Sequence, residues 1–468
     1  MKKFFTLTLM AATVLLASSC CNDCSKGYAV KDGVVIYETP ERPADQQCMI
    51  GFKTDPIETV RVGFIGLGMR GPAAVERFTY IDGVEIVAIC DLFPERLVPI
   101  QEMLKERGKD KAVEYTGEDG WMELCQREDI DLVYIATPWL KHTPMAVYAM
   151  EHGKHAAVEV PAATSVEECW QLVNTAEKTR RHCMMLENCV YDFFEMTTLN
   201  MAQQGVFGDV IHAEGAYVHN LDPYWEEYQG NWRYDFNSKH RGDVYATHGM
   251  GPACQVLNIH RGDKMNLLVS MDTDAFNGKK LAQRISGTAE YANGDHTTTL
   301  IRTEKGKTIE IQHNVVTPRP YNRMYQVEGT EGFANKYPNE GFAIRTENVE
   351  KADKEINIEN LDGEAYVSTE IRDALLEQYQ HPITREGSLI ETAKRVGGHG
   401  GMDFIMDYRL IYCLRNGLPL DQDVYDAAEW SCLGELSRVS IENGCAPVVM
   451  PDFTRGDWDI KNGLELAL

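Results

Sequence analysis

The sequence predicts an α/β chain of two domains, the first a parallel sheet wound with helices, the second an α+β domain built on an open, largely antiparallel sheet. Three observations predict it. A continuous apolar strand near residue 60 runs straight into a glycine-rich turn and a helix; strand and helix patterns then alternate to about residue 188; beyond it, short alternating strands are joined by turn signals. The 468 residues suffice for two cored domains, because a single core rarely grows beyond roughly 250–300 residues.

The first element carries the most chemistry. Val60-Arg61-Val62-Gly63-Phe64-Ile65 leads into Gly66-Leu67-Gly68-Met69-Arg70-Gly71, a G-x-G-x-x-G turn between a strand and a helix. Gly66 permits the tight turn, Gly68 lets backbone approach a pyrophosphate, and Gly71 lets the helix pack on the strand, whose free N–H groups then face the anion. The next strand, 84–91, ends on Asp91, twenty residues after Gly71, where a ribose needs a diol acceptor. The first domain is therefore an N-terminal Rossmann dinucleotide-binding domain. Asp91 repels a 2′-phosphate, which favours NAD over NADP, with Arg96 nearby as the counter-indication.

The alternation continues as a helix over 94–107, a helix near Trp121, a strand over 130–136, a helix over 144–151, a strand over 155–160, a helix over 165–179 and a strand over 182–186. Ligands bind at the carboxyl ends of such strands, so the loops 137–142, 159–161 and 187–188 should face the cofactor. After Asn188 a helix over 193–204 leads to a strand over 209–219. Strands are then expected over 287–291, 297–303, 308–316 and 323–329, with Asn293-Gly294-Asp295 and Glu304-Lys305-Gly306 as hairpin turns. Helices over 402–416 and 424–443 close the chain.

Composition bounds the function. Apolar residues at 44% and charged residues at 25% are the balance of a soluble globular protein. A formal charge of −25 without any block of basic residues repels a phosphate backbone and argues against nucleic acid. Met1-Lys2-Lys3, an apolar run over 4–17 and Ser18-Ser19-Cys20-Cys21 form the pattern of a bacterial lipoprotein export signal, too short to span a bilayer. The expectation is a signal peptide over 1–19, a lipid on Cys20, and an exported, membrane-anchored lipoprotein on the periplasmic or cell-surface face, translocated unfolded since no twin arginine is present. Residues 20–58 lack periodicity and read as a tether or N-terminal arm, 59–188 as the NAD-binding domain, and 189–468 as the substrate-binding domain with its closing helices. Of thirteen cysteines, three lie at the signal junction; Cys90, Cys125, Cys169 and Cys254 sit in apolar periodic segments and read as buried thiols. No zinc-ligand spacing occurs, so no metal is expected.

Over roughly residues 59–455 the chain resembles the glucose-fructose oxidoreductase and inositol dehydrogenase superfamily, and within it most nearly glycoside hydrolase family 109, the NAD-dependent alpha-N-acetylgalactosaminidases. The resemblance rests on Gly68-Met69-Arg70-Gly71, Pro138-Trp139-Leu140-Lys141-His142, Glu159-Val160-Pro161, Asn231-Trp232-Arg233, Tyr245-Ala246-Thr247-His248 and Gly398-His399-Gly400-Gly401-Met402-Asp403-Phe404. The dehydrogenases of the superfamily carry Glu-Lys-Pro where this chain has Glu159-Val160-Pro161. A net dehydrogenase benefits from a base beside the hydroxyl it oxidises, and valine cannot serve. The resemblance implies instead a redox-neutral hydrolysis: oxidation at sugar C3, loss of the acidified C2 proton with expulsion of the C1 aglycone, addition of water at C1, and return of the hydride.

The same resemblance places Gly66, Gly68, Met69, Arg70, Gly71, Asp91, Trp139, His142, Glu159, Val160, Asn188 and Tyr245 on the cofactor. It places Tyr217, Arg233, Tyr245, Ala246, Thr247, His248 and Tyr325 on the substrate, a small sugar or glycan. His248, Tyr325 and Tyr217 are the candidate catalytic residues, with His248 as principal acid/base; the role of His399 stays open, and Asp403 reads as a helix cap or N-terminal charge. A homo-oligomer is compatible with the sequence. An NAD-dependent sugar oxidoreductase and a catalytically silent glycan-binding lipoprotein are the other classes, the first disfavoured by Val160 and the second by the intact glycine fingerprint.

Overall fold

The computed structural model describes residues 27–345, 362–385 and 389–466. The expected signal peptide over 1–19 and Cys20 lie outside the described residues. None of the described helices is long and apolar enough to cross a membrane.

Of the expected tether over 20–58, the described residues 27–58 are packed on the folded chain. Strands β1 (Ala29–Lys31) and β2 (Val34–Ile36) form a hairpin that joins the sheet of the second domain, and the chain to residue 58 runs back across the molecule. Along it the Met49 N–H donates to the Tyr425 hydroxyl and the Ile57 N–H to the Leu414 carbonyl. Apolar periodicity is absent because short backbone pairings, rather than a buried face, hold this segment.

The Rossmann sheet follows: β3 (Val60–Ile65), β4 (Val84–Asp91), β5 (Val113–Thr116), β6 (Leu132–Ile135), β7 (His155–Val158) and β8 (Cys183–Met185), all parallel, in the order β5-β4-β3-β6-β7-β8. Its central strands are buried on both faces and so read as unbroken apolar runs. Between them run α1 (Gly71–Phe78), α2 (Leu97–Glu106), α3 (Gly120–Cys125), α4 (His142–Glu151) and α5 (Val166–Thr179). The last is capped by Ser165, whose hydroxyl accepts the Glu168 N–H at 3.1 Å. Cys90, Cys125, Cys169 and Cys254 are buried, unpaired thiols.

The second domain begins with α6 (Phe193–Gln203), whose first turn is capped by Asp192, and strand β9 (Val210–Val218). Helices α7 (Trp232–Lys239) and α8 (Thr247–Val256) precede β10 (Met265–Asp272) and α9 (Asn277–Ile285). Then come β11 (Thr297–Thr303), β12 (Thr308–Asn314), β13 (Asn322–Gly329), β14 (Gly332–Asn335) and β15 (Gly341–Ile344). With β1, β2 and the late β16 (Val448–Val449) they make a ten-stranded sheet in which β12 lies parallel to β9 and β16 parallel to β2, the other pairings being antiparallel.

Two expectations fail here. Residues 287–291 are not a strand, and Asn293-Gly294-Asp295 is not a hairpin turn. The Asp295 carboxylate instead accepts the N–H groups of Asn277 and Gly278 at the start of α9, so the segment caps a helix. The true partner of β11 on that side is β10, and the pairing spans the intervening helix.

Helices α10 (Thr369–Gln378), α11 (Pro382–Arg385), α12 (Leu389–Val396), α13 (Met402–Asn416) and α14 (Val424–Glu442) complete the set. The last two, read as closing helices of the second domain, return to the first: α13 lies against α1 and β3, while α14 lies between α5 and β10. A capping box starts α14, with Asp423 and Asp426 exchanging backbone hydrogen bonds. Tyr425 on this helix donates to the buried Glu177 carboxylate at 2.6 Å while accepting Met49 N–H. Tyr425→Phe keeps the ring but orphans a buried N–H, and it should lower stability by about 1–3 kcal/mol. The check is a fall in the denaturant midpoint at unchanged slope.

Candidate active site

A cavity of about 1360 Å³ opens at the carboxyl ends of β3, β4, β6 and β7 and is closed from the other side by residues of β9, α7, α8 and β13. It exceeds the roughly 300–1,000 Å³ of a pocket for one drug-sized ligand, as a site for dinucleotide and substrate together must.

The glycine turn lines one end. A Cβ on Gly66 would stand 2.5 Å from the Ala136 carbonyl oxygen, and one on Gly71 would collide with the Gly66 carbonyl, so both are demanded by packing. Gly68 is different: its missing Cβ faces the cavity with only the Arg96 guanidinium within reach, at 3.5 Å. That bare position is the cradle a pyrophosphate needs. The exposed Met69 and the half-buried Arg70 of the turn also line the space. At the end of β4 the Asp91 carboxylate accepts the Leu67 N–H at 2.7 Å and the Phe93 N–H at 3.0 Å, and is thereby aimed into the groove. Arg96 pairs with Asp91 at 3.2 Å and lies over the Phe93 ring, so it is not a free receptor for a 2′-phosphate. The residues fit NAD, and the preference over NADP follows from this pairing.

His142 is buried, with both ring nitrogens against carbonyls, of Pro161 at 2.7 Å and Thr137 at 2.6 Å. It staples the turn bearing Trp139 to the Glu159-Val160-Pro161 loop. Glu159 and Val160 both line the cavity, and Arg70 donates to Glu159 at 3.1 Å. Trp139 stacks on Tyr245 with centroids 5.3 Å apart and meets Trp232 and Phe236 edge-on.

On the opposite wall Arg233 is buried, its guanidinium 4.7 Å from the centre of the Tyr245 ring and 5.2 Å from that of Trp139. It donates to the hydroxyls of Tyr228 at 2.6 Å and Tyr217 at 3.5 Å. Tyr217 Oη in turn lies 3.0 Å from His219 Nδ1.

His248, in the first turn of α8, lies beside Tyr217 and Tyr245. Its Nδ1 is 2.8 Å from the buried Glu187 carboxylate and its Nε2 is 3.3 Å from the Tyr245 hydroxyl. Burial pushes Glu187 up, yet the charge and hydrogen bond of His248 and the Cys189 N–H outweigh it, so the carboxyl stays below its ordinary value and ionised. The geometry is that of an oriented base: the carboxylate fixes the Nδ1–H tautomer and leaves Nε2 toward the cavity. Glu187, Cys189 and His248 have ligand atoms within 4.8 Å of one another, the arrangement from which a metal site can be built. Here Arg323 donates to Cys189 Sγ at 2.9 Å and burial holds that thiol protonated, which opposes a cation at this point.

A second histidine faces the first. Five consecutive residues, 397–401, have positive φ, four of them glycine and the fifth His399. The loop brings His399, half exposed, to the cavity with Nδ1 3.0 Å from Asp403. Asp403 lies in the first turn of α13 but does not cap it. Its buried carboxylate also takes Arg70 Nη2 at 3.1 Å and the Asn188 amide. Burial opposes its charge, but His399, Arg70 and Arg77 together hold it well below the carboxylate range.

Three sequence-predicted substrate residues do not line the cavity. Ala246 and Thr247 are buried behind Tyr245 and His248 at the start of α8. Tyr325 is buried in the core, its ring edge-on to Phe194 and its hydroxyl donating to the Glu195 carbonyl at 3.4 Å. The reason is a bulge in β13: the register shifts on both sides of Met324, and Met324 and Tyr325 have φ of 58° and 51°. The tyrosine that lines the cavity from this strand's approach is Tyr321. The sequence reading also missed Glu187 as the partner of His248, although the 187–188 loop was expected at the site. It missed the wall where Asp192 and Glu195 pair with Arg323 and Lys336. Glu187, Asp192 and Glu195 come from one stretch, but their partners His248, Arg323 and Lys336 are more than 60 residues away in the chain, and no local pattern joins the two sets.

Residues 60–187 match the oxidoreductase family with an NAD-binding Rossmann fold, and residues 191–460 match the C-terminal domain of glycosyl hydrolase 109. A Bacteroides thetaiotaomicron protein named glycosyl hydrolase family 109 protein 1 is 59% identical over 100% of this chain and 99% of its own length. A Porphyromonas gingivalis glycosyl hydrolase family 109 protein is 62% identical over 92% of each. Among solved structures, levoglucosan dehydrogenase in complex with NADH and L-sorbose superposes with a TM-score of 0.62 at 18% identity, covering 84% of this chain and 100% of that one. The Lactobacillus casei myo-inositol dehydrogenase complex with NAD(H) and myo-inositol gives 0.55 at 15%, covering 85% and 99%. At those identities the likeness is one of fold. The Rossmann domain of this chain binds NAD.

Asp91→Ala should weaken NAD binding about 10- to 100-fold, the worth of one or two charge-assisted hydrogen bonds, read by titration calorimetry. Tyr325→Phe, by contrast, should leave turnover within about twofold and cost at most about 1 kcal/mol of stability. Loss of turnover with an intact fold would return that hydroxyl to the site.

Proposed function

The chain belongs to glycosyl hydrolase family 109, and from that premise we propose that it removes terminal alpha-N-acetylgalactosamine from glycans by a redox-neutral sequence of oxidation, elimination, addition and reduction. The coarse class, an NAD-dependent glycoside hydrolase, follows from the family and its cofactor domain. The observation that carries the finer reading is the set of proton-moving groups in one continuous cavity. Two histidines, each backed by a buried carboxylate, share it with the NAD groove. Of the carboxylates that line it, the buried or partly buried Asp91, Glu159 and Asp192 are each paired to an arginine, and Glu118 and Glu227 stand exposed, an arrangement unlike the two positioned acids of a direct displacement. Val160 lies at the position of the dehydrogenase base, and among the described lining residues the one lysine, Lys141, stands on the exposed turn after Trp139.

Bound NAD supplies the hydride acceptor at sugar C3 and the hydride that later restores it. The chain's own residues do the rest. Tyr217, polarised by Arg233, holds a sugar oxygen. His248 Nε2 takes the C2 proton and returns it to C2 after water has added, the ionised Glu187 stabilising the imidazolium so formed, while Tyr245 passes the C3 hydroxyl proton to water in the cavity and brings one back for the reduction. Loss of the C2 proton beside the C3 ketone breaks the C1–O bond. His399, held by Asp403 on the open side, gives the departing oxygen its proton and then takes one from the water that adds at C1. The sequence of residues 1–20 supports an exported lipoprotein, lipidated on Cys20, as the form in which the enzyme meets glycans.

Three measurements test this. Hydrolysis in deuterated water should place deuterium at C2 of the released sugar, and complete retention of protium after long incubation counts against elimination. His248→Ala should abolish that exchange and turnover together, and Glu187→Gln should lower kcat at least about a hundredfold with NAD still bound. Val160→Lys should slow hydrolysis without producing a dehydrogenase; accumulation of NADH with free sugar at a comparable rate would instead establish an oxidoreductase.

A further inference from the structure

We infer that His313, which does not line the cavity, is a positioning residue: through a buried water shared by its ring and the Arg233 Nε, it holds Arg233 and Tyr217 in place for the substrate. This rests on the reading that Tyr217, polarised by Arg233, holds a sugar oxygen.

The register of the sheet places it. β11 pairs with β12 so that Thr297 stands opposite His313, and β12 pairs with β9 so that His313 stands opposite Tyr217. Opposed residues project on one face of a sheet, and all three are buried, so they form a row across three strands that ends at the cavity wall. The His313 and Tyr217 rings are stacked, with centroids 6.2 Å apart and planes at 25°. Helix α7 meets this row through Arg233, which donates to the Tyr217 hydroxyl. The segment before β11 is fixed to the same helix: the Ala292 N–H donates to the Ser238 carbonyl at 2.8 Å and the Asn293 amide to Asn237 at 3.4 Å.

Between row and helix stands a set of buried polar atoms. Both ring nitrogens of His313, Arg233 Nε, Thr297 Oγ1, Tyr291 Oη and Asn293 Oδ1 are buried, and none has a hydrogen-bond partner among the described residues. Folded proteins leave few such groups unsatisfied, and a buried water commonly joins several of them. The Arg233 Nε–H needs an acceptor. A histidine can serve that need, through water, only while it is uncharged. Burial and the Arg233 charge hold His313 down to about 3, so near pH 7 one ring nitrogen accepts and the other donates. A water that accepts from Arg233 Nε and donates to the bare His313 nitrogen satisfies both. The guanidinium is then held on three sides, by this water, by the Tyr228 hydroxyl at 2.6 Å and by the Tyr217 hydroxyl at 3.5 Å, and it cannot turn without losing one of them. That fixes the phenol which meets the sugar.

The experiment has a structural and a kinetic arm. A crystal structure of the NAD-bound enzyme that shows ordered solvent should place a water within about 3.2 Å of both Arg233 Nε and a His313 nitrogen; a structure without it overturns the inference. His313→Phe keeps a ring and removes both nitrogens. It should raise KM for an aryl alpha-N-acetylgalactosaminide about tenfold, with kcat within about threefold and NAD still bound. His313→Gln, which keeps a donor and an acceptor, should restore most of the loss. In a Tyr217→Phe background His313→Phe should cost less than about twofold more, because the group it acts through is gone. Equal losses in the two His313 variants, or effects that multiply fully with Tyr217→Phe, overturn the positioning role and leave the glycosidase reading in place. If His313→Phe does not fold, the wild-type water decides. Wild-type protein that cleaves no alpha-N-acetylgalactosaminide overturns that reading, and the positioning role with it.

Discussion

The carboxylate of Asp403 is where the two halves of the molecule are tied. It is fully buried, and it is met by Arg70 from the glycine turn, by Arg77 from α1, by Asn188 at the end of the Rossmann sheet and by His399 from the glycine loop. A buried charge is tolerated only when its partners and hydrogen bonds are in place. Satisfying this one forces the loop over 397–401, the start of α13 and the nucleotide turn into fixed relation. Asp407, one turn further along α13, repeats the device on Arg77 at 2.6 Å. Helix α13 thus belongs to the substrate domain by sequence and to the cofactor domain by contact.

Arg233 plays the same part on the other wall by different physics. It has no carboxylate partner among its hydrogen bonds; it is held by faces of Trp139, Tyr217, Tyr228 and Tyr245 and by two phenol hydroxyls. The cation–π contacts make a desolvated guanidinium affordable. They also carry Trp139, a Rossmann residue, into the substrate domain. The cofactor groove and the space beside Tyr217 and His248 are therefore one cavity with a shared aromatic wall.

Much of the first domain was legible because its signals are local. A parallel strand buried on both faces is an apolar run, and a glycine turn that must approach a carbonyl and a ligand can be nothing else; Gly66, Gly71 and Asp91 stand where their spacing implied. The second domain was less legible. The β10–β11 pair spans a helix, and Asn293-Gly294-Asp295 has the composition of a hairpin turn while serving as the cap of α9. Tyr325 shows the limit within a single strand: strict alternation puts it on the face of Arg323, and a bulge with two left-handed residues carries it into the core and leaves Tyr321 to the cavity.

Sequence alone determined the Rossmann domain, its cofactor and the family resemblance, because strand periodicity, glycine spacing and an acid at the end of the second strand are properties of short segments. It also singled out His248 and Arg233 as site residues, through motifs that are contiguous. Tertiary structure decided which groups act on which. The carboxylate behind His248 lies 61 residues away, the one behind His399 also holds the nucleotide turn, and the rings that line the cavity come from β9, α7, α8 and the approach to β13. Orientation of a base and the boundary of a pocket depend on distances across the fold. Those distances are set by the packing of α8, α13 and the mixed sheet against one another, and no window of the chain contains them.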